Sequence, residues 1–254
     1  MEDRPLGAPR LRKPTADDFR ASLALGLRDF LSNPIIDLVF ASVFVGAGWI
    51  MAMITYATGQ TFWLILAVLG FPLVGALAAL GFYETSRRKA AGQIPRLPDV
   101  IGVVWNNRSG QLPWLAAIIV VIFLFWFFLG HMIFALFLGL SPMTNVSTSA
   151  EVFLRADGVA MLGFGTMIGA AFALLVFALT VLGMPMLLDR DVDFITAMLR
   201  SMAAVRDSFG LFVLWGLFIG AVTLLAMLPM FLGLFIAMPV LGHTTWHLYQ
   251  RLAD

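Results

Sequence analysis

Apolar and polar positions follow one layout that recurs three times along the chain. A charged, amphipathic stretch comes first, two long apolar runs follow it, and the second run of each pair carries a proline. The stretches are DDFRASLALGLRDF, PDVIGVVWNNRSG and DVDFITAMLRSMAAVRDSF, and the prolines are Pro72, Pro185 and Pro239. In the third stretch Phe194, Ile195, Met198, Leu199, Met202 and Val205 fall on one helical face, with Asp193, Thr196, Arg200 and Asp207 opposite. That spacing has a helix period rather than a strand period. The first copy groups Phe19, Leu23, Leu27 and Phe30; the second, shorter copy groups Val100, Val103 and Val104, with Trp105 at headgroup level. Such helices are expected in the membrane interface, with basic side chains toward anionic lipid headgroups.

The apolar runs predict spanning helices, because about 20 such residues cross the hydrocarbon layer. They cover residues 34–57, 62–83, a length within 112–140, and 159–185. Asn33 fits an N-cap and Pro34 the first helical position. From 209 to 249 the chain stays apolar too long for one span, so a break at Leu228–Pro229 is expected, giving spans over 209–227 and 230–249. A re-entrant pair is the competing reading. The expected fold is an all-α, polytopic transmembrane bundle of about six spans. Its three repeats are an interfacial helix plus a helix pair, at approximately 17–90, 91–188 and 189–254. Residues 1–16, polar and proline-rich, read as a disordered cytoplasmic tail.

Composition agrees. The 254 residues are 61% hydrophobic and 12% charged, about half the charged share of a soluble domain. No cysteine is present, which excludes disulfides and thiolate metal sites. The placement of charge is more informative than its net value. With six spans, every Lys and Arg but Arg155 falls on the side of the two termini. The bias of basic residues sets orientation, so both termini are expected to be cytoplasmic.

Candidate chemistry is sparse. His243 and His247 are four apart and share a helical face, a spacing that could ligate haem or a metal. The third histidine, His131, lies 18 residues beyond Pro113, roughly 27 Å up its span, too far to join them. The structural alternative makes Trp246, His247 and Tyr249 headgroup anchors and gives His243 a hydrogen bond to a neighbouring helix. Asp189, Asp191 and Asp193 alternate as in a cation loop, but the sixth and twelfth positions are Phe194 and Arg200, so a calcium loop fails. First-turn acids at a helix N-terminus explain them better. Asp37 is an intramembrane carboxylate near a helix N-terminus, and Glu84 is placed to pair with Arg87 or Arg88. Gly165, Gly169 and Ala173 form a small-residue line that permits close helix packing. Asn145-Val-Ser147 spells a glycosylation acceptor. No nucleotide-loop, zinc-protease or nucleophile-elbow motif occurs, and no nucleic-acid partner is implied.

With GFYETSRR (81–88), MPMLLDRDVDFITAM (184–198) and LGHTTWHLYQR (241–251), the chain resembles an uncharacterised family of bacterial predicted integral membrane proteins. The resemblance runs from about Asp17 to the end and implies an inner-membrane location with no established activity. Some relatives are loosely labelled cytochrome c oxidase subunit I, but three histidines and about six spans are too few for that subunit's haem and copper ligation. The leading expectation is a non-catalytic accessory, assembly or structural component, in contact with lipid and with a larger membrane complex, without cofactor. The alternatives are a small-solute or lipid transporter with a site between the proline-bearing spans, and a haem- or metal-binding protein using His243.

Overall fold

The computed structural model describes residues 4–59, 64–139 and 154–253, with backbone alone over 64–74. The side chain of Pro72 and the Asn145-Val-Ser147 sequon therefore lie outside the described residues. Those described form helices α1 (Ala16–Ser32), α2 (Pro34–Thr58), α3 (Leu64–Ala90), α4 (Leu97–Asn107), α5 (Leu112–Leu138), α6 (Ala156–Thr180), α7 (Gly183–Asp189), α8 (Phe194–Asp207), α9 (Phe209–Met227) and α10 (Leu234–Leu252). Among the described residues the only β pairing is two isolated bridges, Leu6 to Asp191 and Leu11 to Ala253. In chain order, the shorter helices α1, α4, α7 and α8 are interspersed with the long pairs α2–α3, α5–α6 and α9–α10.

Helices α2, α5, the α6–α7 run and α9 are long and apolar enough to cross a membrane. They expose large apolar side chains such as Trp49, Met53, Phe125, Phe128, Leu217 and Leu224. Water would penalise so much apolar surface, whereas lipid does not. Helix α10 is more polar, and its burial is internal. The two 19-residue helices α9 and α10 each measure roughly 28 Å at 1.5 Å per residue. Their junction is where the sequence predicts it. Pro229 stands in the turn, and Met230 and Phe231 take left-handed φ values of 54° and 66°, uncommon for residues with a Cβ. The indole of Trp49 donates to the Met230 carbonyl at 2.8 Å, tying this turn to α2.

Burial is concentrated at the end of the bundle nearest the termini. Leu80, Tyr83, Leu115, Leu182, Met186, Leu188, Phe212, Trp246, Tyr249 and Leu252 share one core cluster there. A second cluster gathers Ile36, Phe40, Phe44, Phe82 and Leu234 between α2, α3 and α10. Toward the other end α5 and α6 separate, leaving an apolar groove of about 710 Å³ lined by Trp126, His131, Gly165 and Gly169. Contacts along the small-residue line differ: a Cβ on Gly169 would lie 3.3 Å from Trp126 Nε1 of α5. A Cβ on Gly165 would meet nothing within 4 Å.

Two expectations are corrected. Residues 4–14 are not a loose tail. Gly7 N–H donates to the Asp191 carbonyl, Asp191 N–H to that of Pro5 and Arg12 N–H to that of Leu252, each at 3.0 Å. Backbone groups paired in this way hold a polar segment that has little apolar surface of its own. Nor are Trp246 and Tyr249 headgroup anchors, since both are buried. Helix α1 covers this part of α10, packing on it more extensively than any other pair of helices packs. Its buried face is Asp18, Phe19, Ser22 and Gly26, not the larger residues Leu23 and Leu27. At Gly26 no side chain fits because the two backbones approach closely. A Cβ on Gly26 would lie 2.7 Å from the Thr244 nitrogen and 2.9 Å from the Val240 oxygen.

Backbone atoms cannot swing aside, so Gly26→Ala is predicted to destabilise the protein by about 1–3 kcal/mol through overpacking. A Cβ on Gly102 of α4 would meet nothing within 4 Å, so Gly102→Ala should leave stability unchanged or raise it by up to about 1 kcal/mol through helix propensity. Thermal unfolding in detergent compares the two; equal effects would contradict the close approach.

Candidate functional site

Four helices bring polar groups together where α3 ends and α10 approaches its C-terminus. His243 and His247 project one turn apart from α10. Asp37 comes from the first turn of α2, Ser86 and Lys89 from α3, and Asp29 from α1. His243, Asp37 and Ser86 are fully buried. The Nδ1 of His243 is 2.8 Å from Ser86 Oγ and 3.0 Å from the Phe82 carbonyl oxygen. A carbonyl only accepts, so Nδ1 carries a proton. The Nε2 lies 3.0 Å from Asp37 Oδ2. That contact has ion-pair distance but lacks hydrogen-bond alignment, and neither Asp37 oxygen receives a hydrogen bond. The N-terminal dipole of α2 favours negative charge at Asp37.

The line continues outward. The Ser86 hydroxyl donates to Asp29 Oδ2 at 2.6 Å, and His247 Nε2 is 2.8 Å from the same oxygen. The Lys89 ammonium donates to the Asp29 carbonyl. Asp37, His243, Ser86, Asp29 and His247 thus form an unbroken polar chain across α2, α10, α3 and α1. Burial pushes the Asp29 carboxyl upward, but the His247 and Ser86 hydrogen bonds and the nearby histidine charge outweigh it, so its pKa falls below the ordinary value.

The remaining candidates are elsewhere. Glu84 is buried and paired with Arg87 at 2.7 Å and Arg88 at 2.6 Å, as its spacing predicts. Asp189 accepts from the Tyr249 hydroxyl at 2.9 Å and from Arg190 Nε at 3.1 Å, joining α7 to α10. Asp191 meets residues 5–7 through its backbone. Asp193 caps α8, accepting from Thr196 N–H at 2.9 Å, and those Thr196 hydrogen bonds lower its pKa. The three aspartates do not converge. Pro185 is buried in α7, after the break that ends α6, and Pro239 is buried inside α10. Ser201 secures that break, accepting from Leu182 N–H and donating to the Ala178 carbonyl. His131 is exposed on α5, with Nδ1 donating to the Phe127 carbonyl at 2.8 Å.

Serine, histidine and aspartate in line suggest nucleophilic catalysis, but the surroundings oppose it. A nucleophile must present its oxygen to substrate, and Ser86 is buried on a helix with its hydroxyl given to Asp29. Haem ligation needs a free imidazole lone pair. At His243 Nδ1 is used by Phe82 and Ser86, and Nε2 faces Asp37. Among the described residues no three ligating side chains form a metal group.

Sequence reasoning missed Asp29, Ser86 and Lys89. Asp29 read as part of a solvated polar face on an interfacial helix, and Ser86 was hidden among charged neighbours in ETSRR. The one available signal was that Asp29 stands on the helix preceding Asp37, eight positions upstream, and so can flank the same partner helix. Asp37 and Glu84, both fully buried, lie toward the ends of α2 and α3.

A family model described as "Predicted integral membrane protein (DUF2189)" matches residues 63–189, which is half of the chain. No curated protein and no solved structure matches it.

Asp29 and Asp18 both secure α1 against α10. Asp18 takes two bonds from Arg12, at 2.8 and 2.6 Å, and one from Arg251 at 3.3 Å. The Arg12 hydrogen bonds hold its pKa far below the ordinary value, against the effect of burial. A folded-state pKa below the unfolded one stabilises above roughly pH 4 and is lost as pH falls through the lowered value. Acid unfolding should therefore begin with release of α1. Asp29→Asn should be less stable than wild type at neutral pH and flatter in its acid dependence; parallel thermal-unfolding profiles against pH would contradict this.

Proposed function

Because the chain belongs to this family of predicted integral membrane proteins, we propose that it is a non-catalytic accessory, assembly or structural component of a bacterial inner membrane. It crosses the bilayer six times, with both termini and the short helices α1, α4 and α8 on the cytoplasmic side. Its partner is a larger membrane assembly, of respiratory or other energy-converting type. The carrying observation is that the reactive atoms of Ser86, His243 and Asp37 are turned toward one another and away from any substrate path. Their chemistry is used to hold four helices together. The wide apolar faces of α2, α5 and α9 then supply surface for lipid or for neighbouring membrane helices. The basic residues clustered near the termini support the orientation.

A lipid- or solute-handling role is the second reading, and the groove between α5 and α6 favours it. Its volume lies within the range of small-molecule sites. The polar chain, by contrast, runs across α1, α2, α3 and α10, and Asp37, Ser86 and His243 at its centre are fully buried.

The absence of cysteine makes topology directly testable. A membrane-impermeant maleimide should label Ser147→Cys in intact cells stripped of the outer membrane, and Gln93→Cys only after permeabilisation. Extraction in mild detergent should then yield an assembly well above the 27.8 kDa of the chain. Reversed labelling would overturn the orientation. A lone purified chain that moves a solute or lipid across vesicles would overturn the accessory role in favour of transport.

A further inference from the structure

We infer that Asp37 and His243 form a buried proton-binding site that exchanges its proton with the cytoplasmic side through Ser86, Asp29 and His247. The hydrogen-bond inventory requires a proton there. The Phe82 carbonyl, 3.0 Å from Nδ1, favours a proton on that nitrogen in the loaded state. Asp37 receives no hydrogen bond, and Nε2 has no acceptor except the Asp37 oxygen 3.0 Å away. Two bare lone pairs at that distance would repel in a buried setting. A second proton, on Nε2 or on Asp37, relieves that repulsion, and the pair is loaded, as imidazolium and carboxylate or as neutral imidazole and carboxylic acid.

Neither group touches solvent, so exchange needs a relay. The polar chain supplies one. Nδ1 can pass its proton to Ser86 Oγ while the Ser86 hydroxyl proton moves to Asp29 Oδ2, 2.6 Å away. Asp29 and His247 are each 13% exposed and hand the proton to water. The second proton then rests on Nε2, leaving a neutral imidazole and an aspartate anion. One proton has left, and one hydrogen bond, to Phe82, has been given up. Uptake runs the same steps in reverse. The charged groups facing the site are Asp37 from α2, Asp29 from α1, Lys89 from α3 and His247 from α10. Lys89 lies near both aspartates and offsets the anion left after release. Glu84 is already committed to Arg87 and Arg88, and Asp99 of α4 approaches Arg88 at 3.9 Å.

Among the described residues the polar chain reaches solvent at Asp29 and His247. Phe40, Phe44 and Phe82 close the far side of the pair, with Phe82 against the His243 ring and Phe40 and Phe44 against Phe82. Apolar rings offer no hydrogen-bonding atoms to continue the relay. The site therefore loads and unloads from the same side, unlike the through-membrane Asp and His chains of pumps.

The test is nitrogen NMR of histidine-labelled full-length chain in lipid nanodiscs, with His243 assigned by its loss in His243→Gln. Both ring nitrogens of His243 should be protonated at neutral pH or share a proton with Asp37. Ser86→Ala should slow deuterium exchange at the His243 ring by at least tenfold, and Ser86→Thr, which keeps the hydroxyl, should restore it. Circular dichroism of each variant confirms that the fold is kept. A bare Nε2 with no proton shared with Asp37 would overturn the site. Unchanged exchange in a folded Ser86→Ala variant would overturn the relay.

Discussion

A carboxylate and an imidazole, both closed off from solvent, face each other 3.0 Å apart where α2 meets α10. Much of the architecture follows from keeping them together. An isolated buried charge is costly, and removing one member of such a pair typically costs about 3–5 kcal/mol. The pair therefore selects a packing in which α2, α3 and α10 come close. Gly242 makes this possible, since a Cβ there would lie 2.7 Å from the Phe82 ring. Gly26 does the same for α1, bringing Asp29 within reach of His247. Glycine at the crossings and polar groups beside them are one design: the first lets the backbones approach, and the second fixes their register.

The remainder of the molecule contrasts with this end. Toward the termini the helices share a packed core that includes Trp246, Tyr249 and the seven-residue helix α7. Away from them α5 and α6 part around their glycines and present phenylalanine and leucine outward. In water that half would collapse or aggregate; in lipid, dispersion contacts with acyl chains replace those with protein. The molecule is thus ordered by polar contacts near one membrane face and by the bilayer elsewhere.

Much of the fold was legible in the sequence because its signals are local. Apolar runs marked the long helices, amphipathic periods marked α4 and α8, and Pro229 marked the turn between α9 and α10. Glu84 and its arginines were legible for the same reason, being neighbours on one helix. The polar chain was not. Its members are up to 218 positions apart, as Asp29 and His247 are, and neither periodicity nor charge sorting says which partner a polar residue meets. The amphipathic face of α1 misled most directly. Its bulky residues suggested lipid, whereas Phe19 packs in the core and Gly26 allows the close approach to α10.

The most direct measurement is a double-mutant cycle on Asp37→Leu and His243→Phe, followed by reversible unfolding in detergent. If the buried pair organises the four-helix junction, each single variant should be strongly destabilised. The double variant, which leaves no orphaned charge, should recover part of the loss, with a coupling of at least about 1 kcal/mol. Losses that add to within about 0.5 kcal/mol would show that the two residues act independently, and the pair could not be what holds the junction together.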